Sequence, residues 1–199
     1  MKRIIRTGIL IIALLAAVWG VASITGSQAS PPAPVQTHAS PPPPTATVVP
    51  QDRPVGLPTR LTIPAIGVDE GMHGVGLKPD GAMETPNFGD AGWYKLGPRP
   101  GAWGPAVIVA HVHGPAGNDV FARLHELKAG DRVTVRRADG VSTFVVESTE
   151  QTKKESLPYD RIWGDVDRPV LRLITCGGTP NPVTRMYPDN TIVYAELTP

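Results

Sequence analysis

Cysteine is nearly absent from this chain of 199 residues: Cys176, in the stretch LITCGG, is the only one. A single cysteine excludes an intramolecular disulfide framework, although the first residues read as an export signal and exported chains commonly pair their cysteines. Acidic residues are missing from positions 1–51, where Lys2, Arg3 and Arg6 are the only charged side chains. The remainder holds the other 16 of the 19 basic residues against all 18 acidic ones, a net charge of −2. That near balance gives no reason to expect a nucleic-acid partner. No G-x-S-x-G motif occurs, which argues against serine hydrolases of the nucleophile-elbow type, and no internal repeat is present.

Proline, by contrast, is abundant and unevenly placed. Eight of the 23 prolines lie between Pro31 and Pro50 in a polar stretch rich in alanine, threonine and serine. Such a composition cannot bury a core and favours extended polyproline II backbone, so residues 31–50 span on the order of 60 Å. Ahead of it, the run TGILIIALLAAVWGVASITG (7–26) carries no charge and, as a helix, covers about 30 Å, the hydrocarbon thickness of a bilayer. With its basic flank in the cytoplasm, everything downstream lies outside. A cleaved signal peptide, with Ser27 and Ala29 as the small residues of the cleavage site, is the competing reading. Neither reading leaves a lipoprotein, since no cysteine directly follows the run. The expected organisation is therefore a basic flank and transmembrane anchor over 1–26, a Pro-rich disordered linker over 27–56, and a folded catalytic domain over 57–199.

Within that domain, segments rich in β-branched residues predict strands at 60–68, 105–112, 131–138, 141–152, 169–176 and 191–197. Ala138-Asp139-Gly140 is a hairpin signal between the third and fourth. Short helices are expected at Val120 to Leu127 and Leu157 to Trp163, ended by Gly130 and Gly164. Many short strands and few helices predict a mostly β fold, a closed or nearly closed barrel. The segment 148–169 either lines a groove for an extended peptide or caps the barrel.

Strand alternation in PVLRLITC puts Val170, Arg172, Ile174 and Cys176 on one face, with Leu171, Leu173 and Thr175 on the other. Cys176 then sits at a strand mouth, just before Gly177-Gly178. Either it is an inert buried hydrophobe or it is a nucleophile, which requires a base or cation near the thiol. Of five histidines, His38 lies in the linker and His125 in a short helix facing solvent. His111 ends the apolar strand VIVA as Cys176 ends another, and is the favoured partner. His73, in a Gly-rich loop, is a weaker substitute, and His113 points the same way as His111 if the strand continues. The HVH pair also suggests a shared metal ion, but the first glutamate after it is Glu126, too distant for the usual β-barrel metal pattern. No cofactor or metal is therefore expected. Arg185, just before the final strand, is placed to face a developing oxyanion. Thr175 adjoins the thiol and is expected to assist through hydrogen bonding.

The stretches LRLITCGGTPNPVTRMYPDNTIVYAEL, PAVIVAHVHG and RLTIPAIGV together resemble the sortases, most closely the class F sortases of high-GC Gram-positive bacteria. The resemblance runs from about Leu57 to Leu197, with Ala110 where glycine is usual before the histidine. It implies the sortase β-barrel and a cysteine transpeptidase that cleaves an LPxTG-like sorting motif after threonine through a Cys176 thioester. His111, Cys176 and Arg185 match the family's catalytic positions. The partners implied are the sorting signals of surface proteins and an amine of the cell wall or of another protein, with the enzyme held in the cell membrane by a single pass and its catalytic domain outside. The reading outside enzymology is an exported peptide-binding or structural barrel with an inert cysteine.

Overall fold

The computed structural model describes residues 54–199, so the expected anchor and most of the linker lie outside the described residues. The strands are β1 (Pro58–Ile63), β2 (Val68–Val75), β3 (Ala91–Tyr94), β4 (Gly104–Val109), β5 (His113–Gly114), β6 (Gly117–Asn118), β7 (Arg132–Arg137), β8 (Gly140–Lys153), β9 (Pro169–Gly177) and β10 (Asp189–Leu197), with one short helix α1 (Tyr159–Trp163). Eight of them close into a barrel in the order β1-β2-β3-β4-β9-β10-β8-β7, while β5 and β6 form a separate small ribbon. Most neighbours are antiparallel, but β2 with β3 and β4 with β9 run parallel. Parallel pairs need crossover connections, and the two crossovers, 76–90 and the stretch between β4 and β9, supply much of the surface around the site.

Inward-facing side chains fill the barrel: Leu61, Ile63, Val133, Val135, Phe144, Leu171, Leu173 and Val193 are each fully buried. A second apolar cluster lies on the outside of the sheet, where Ile162 of α1 covers Val107, Ile192 and Tyr194. β9 and β10 are thus covered on both faces, which explains their nearly unbroken apolar sequence.

Three expectations change in detail. The strand expected over 60–68 is two strands, because Pro64-Ala65-Ile66 forms a 3-10 turn ended by Gly67 at φ 71, a left-handed backbone that suits glycine. The helix expected over 120–127 shrinks to a 3-10 turn at Leu124–Glu126. Phe121, Leu124 and Leu127 are its buried residues, and a spacing of three fits a 3-10 turn rather than an α-helix. The strand expected to run through Val112 stops at Val109, and the His111 carbonyl instead accepts a hydrogen bond from the Phe121 amide at 2.9 Å. The hairpin at Ala138-Asp139 stands, with Arg137 paired to Gly140.

Candidate active site

Cys176 lies at the end of β9, half-buried. The alternation of β9 carries through: Leu171 and Leu173 point into the barrel, whereas Ile174 belongs to the outer cluster. Cys176 shares the face of Ile174, two residues on. Gly177 and Gly178 are dictated by closeness to β10. A Cβ on Gly177 would come within 2.6 Å of Thr191 Oγ1, and Gly178 has φ 79 with its Cβ position 2.7 Å from the Asp189 carboxylate. The chain can turn away directly after the thiol because both residues lack a side chain.

His111 reaches the same rim by way of β4. Val109 pairs with Ile174 in the parallel ladder, and the Thr175 hydroxyl donates to the Ala110 carbonyl at 2.7 Å. Thr175 is buried and extends the β4–β9 attachment one residue past the ladder, so His111 leaves the sheet beside Cys176. The His111 ring is held from a second side: Nε2 lies 3.0 Å from the Pro86 carbonyl and Phe88 packs against the ring with centroids 4.5 Å apart. A carbonyl only accepts, so Nε2 carries a hydrogen in this contact and Nδ1 is the nitrogen able to exchange one.

The other expected residues fall at different distances from this rim. Arg185 lies in the exposed loop 178–188 with φ 57, a left-handed backbone stabilised by its amide donating to the Asn181 carbonyl at 2.8 Å. It lines neither of the two cavities next to the site. His113 does not follow His111 along a strand, because β4 has already ended; it is exposed in β5. His73 sits in β2 rather than in a loop, 3.8 Å from the Asp90 carboxylate. His125 is exposed, as expected, yet lines a cavity together with Cys176. Arg172, on the outer face with Cys176, is buried against the ring of Tyr194 at 4.8 Å, and its Nε donates to the Arg161 carbonyl. Burial lowers its pKa from the usual guanidinium value.

Two neighbours of the thiol have no counterpart in the sequence reading. Lys154, 22 positions upstream of Cys176, holds its Nζ 3.7 Å from Sγ, and its own amide donates to the Pro188 carbonyl. Asn190 of β10 is the direct cross-strand partner of Cys176. The registers of β8 and β9 on β10 disclose these neighbours, and register is set by the fold rather than by a local motif.

Two cavities lie near Cys176: one includes it and the other includes its cross-strand partner Asn190. One, of about 500 Å³, is an apolar groove on the outside of the barrel, lined by Leu157, Tyr159, Trp163, Val109, Ile174 and Asn190. The other, of about 490 Å³, is polar and includes Cys176 itself with Gly178, Thr179, Gln151 and Asp189. Cys176, at the end of β9, and His111, two residues past the end of the adjacent parallel strand β4, thus leave the sheet at the same rim of the barrel.

The sortase-domain profile matches residues 61–198, and the chain belongs to the sortase family. Among solved structures, sortase C-1 from Actinomyces oris is 22% identical with a TM-score of 0.57, covering 71% of this chain and 73% of that one. Sortase A from Corynebacterium diphtheriae is 20% identical with a TM-score of 0.56, covering 74% and 62%. Sortase C-1 from Streptococcus pneumoniae is 22% identical with a TM-score of 0.53, covering 71% and 66%. At these identities the likeness is one of fold. A comparison with curated proteins finds no match.

Proposed function

We propose that this protein is a class F sortase, a cysteine transpeptidase that cleaves an LPxTG-like sorting signal after its threonine and transfers the acyl group to an amine of the cell wall or of another protein. The observation that carries this reading is that Asn190, which lines the apolar groove, stands directly across from Cys176. An extended peptide with apolar residues at its start lies along the groove with the following carbonyl over the sulfur. In the first step the Cys176 thiolate attacks that carbonyl carbon, forming the S–C bond. The amide C–N bond breaks as His111, protonated, gives its proton to the departing amine. Arg185 contributes positive charge from the neighbouring loop to the oxyanion. An incoming amine, entering from the polar cavity, attacks the thioester carbonyl; the N–C bond forms, the S–C bond breaks with the sulfur leaving as thiolate, and His111 takes the amine's proton. Water does the same more slowly. Thr175 serves as a positioning residue, through its bond to the Ala110 carbonyl, rather than by touching substrate. The anchor over 1–26 and the linker over 27–56 hold the catalytic domain outside the membrane within reach of the wall.

The test is mass spectrometry of the full chain in detergent, incubated with an LPxTG-type peptide and a glycine amine beside Cys176→Ala. The expected result is a ligated product and a thioester on Cys176, both missing from the variant. Loss of neither on substitution would refute the role of the thiol, and the absence of both from the unaltered chain across several motif variants would leave a binding barrel instead.

A further inference from the structure

We propose that Asn190 is a catalytic residue, the contact donor of the oxyanion site beside Cys176. This inference rests on the acyl-transfer reading above and adds a contact donor to the longer-range charge of Arg185, which stands on an exposed loop and lines neither cavity.

In the antiparallel ladder of β9 and β10, Asn190 is the residue opposite Cys176. Directly opposed residues share a face, with Cβ atoms about 5 Å apart. That face is the outer one, because two and four residues further along β10 Ile192 and Tyr194 belong to the outer apolar cluster, while Val193 and Ala195 face the barrel interior. Asn190 is half-buried and lines the apolar groove. A peptide carbonyl whose carbon bonds to Sγ therefore develops its negative oxygen in the space between the two side chains. The carboxamide of Asn190 has two N–H donors on a short stem. Its tether is the middle of a three-strand ladder, Thr152–Asn190–Cys176, so it is fixed before substrate arrives. Donors of this kind, preorganised at a water-poor site, are the ones that stabilise an oxyanion most. Around the site, among the described residues, hydrogen bonds run from Gln151 to Asp189, from Thr175 to Ala110 and from Lys154 to Cys176. The Asn190 carboxamide takes part in none of them, which leaves its donors for the bound peptide.

The experiment measures single-turnover formation of the Cys176 thioester with an LPxTG-type peptide, using the full chain and the variants Asn190→Ala, Asn190→Asp and Arg185→Ala. The expected result is a fall of about 10²-fold in the acylation rate constant for both Asn190 variants, the magnitude typical of one oxyanion donor, with half-saturating peptide concentration within about threefold of the unaltered protein. Asp keeps the shape, loses the donor and adds a negative charge near the sulfur, so its acylation rate is read against its own alkylation rate. Alkylation of Cys176 by iodoacetamide is the control. It has no oxyanion and stays within about twofold in Asn190→Ala, whereas a merely structural role for Asn190 would slow it as well; in Asn190→Asp the added charge slows it about fivefold, and only acylation loss beyond that factor reports the missing donor. Acylation retained in both Asn190 variants, or a larger loss in Arg185→Ala than in either, overturns the assignment while leaving the acyl-transfer reading intact. Failure of the unaltered chain to form a thioester would overturn that reading and this assignment with it.

Discussion

Lys154 places an ammonium 3.7 Å from the sulfur of Cys176, and that single contact alters how the thiol behaves toward electrophiles. Two unit charges at about 4 Å interact by about 1 kcal/mol in water, and that much lost from the stabilisation of charge on sulfur is about a fivefold change in rate. The side chain is exposed, so the effect is screened by salt. Lys154→Met is expected to slow iodoacetamide alkylation of Cys176 about fivefold at low ionic strength. Raising the salt should bring the unaltered protein toward the variant. Equal rates at low salt would show that the ammonium does not act on the sulfur. The sequence discloses Cys176 and His111 as strand-end residues because each closes an apolar run, a local pattern. It points to Arg185 for the charge because that arginine is near in sequence. Lys154 and Asn190 are near only in the folded sheet, and no pattern within either segment marks them.

The connection between β8 and β9 illustrates how one element serves both packing and the site. Its sequence allows a groove lining or a barrel cap, and the structure combines them. Ile162 is 1% exposed against Val107 and Ile192, while Leu157, Tyr159 and Trp163 face the apolar cavity. Arg161 clamps α1 to the sheet: its guanidinium lies over the Tyr194 ring at 4.2 Å and forms an ion pair with Glu150. The Tyr194 hydroxyl donates to that same carboxylate at 2.8 Å, and burial, with this bond, pushes its pKa up to about 12. Tyr194 is therefore a neutral donor to Glu150 at neutral pH. Ile162→Ala is expected to cost about 2–5 kcal/mol of stability, the usual range for truncating a buried isoleucine, as measured by urea denaturation. The same variant should raise the half-saturating concentration of an LPxTG-type peptide without changing iodoacetamide reactivity. Unaltered peptide binding would mean that the outer cavity is not where the peptide lies. A helix at 157–163 can be read from its apolar spacing and from Gly164, but which face of the sheet it covers depends on the parallel crossover.

At the scale of the whole barrel, closure is legible from the number and spacing of the strands, and the β7–β8 hairpin from Asp139-Gly140. The parallel β2–β3 pair is not, since VDEGMHGV has no clean alternation and β3 is only four residues long. Closure also forces a compromise at one place on the outside. The β8–β10 ladder pairs Ser148 with Tyr194 and then Val146 with Ala195, so Glu147 is an extra residue at a bulge. There it meets Glu196, which is paired with Arg168. Burial first, and then the charge of Glu196, hold the Glu147 carboxyl above the usual carboxylate range. A carboxyl whose folded-state pKa is raised binds its proton more tightly in the folded than in the unfolded chain, so stability falls as pH rises through that folded value. Glu147→Gln keeps the shape and removes the repulsion. Because Glu147 is exposed, the gain is about 0.5 kcal/mol or less, about 1 °C in a domain of this size. Thermal unfolding across pH is the measurement: the variant should melt above the unaltered protein at pH about 7 and match it below about pH 4, where glutamate is ordinarily protonated. A constant offset at all pH values, or a variant that melts lower at neutral pH, would show that the two carboxylates do not oppose each other in the folded barrel.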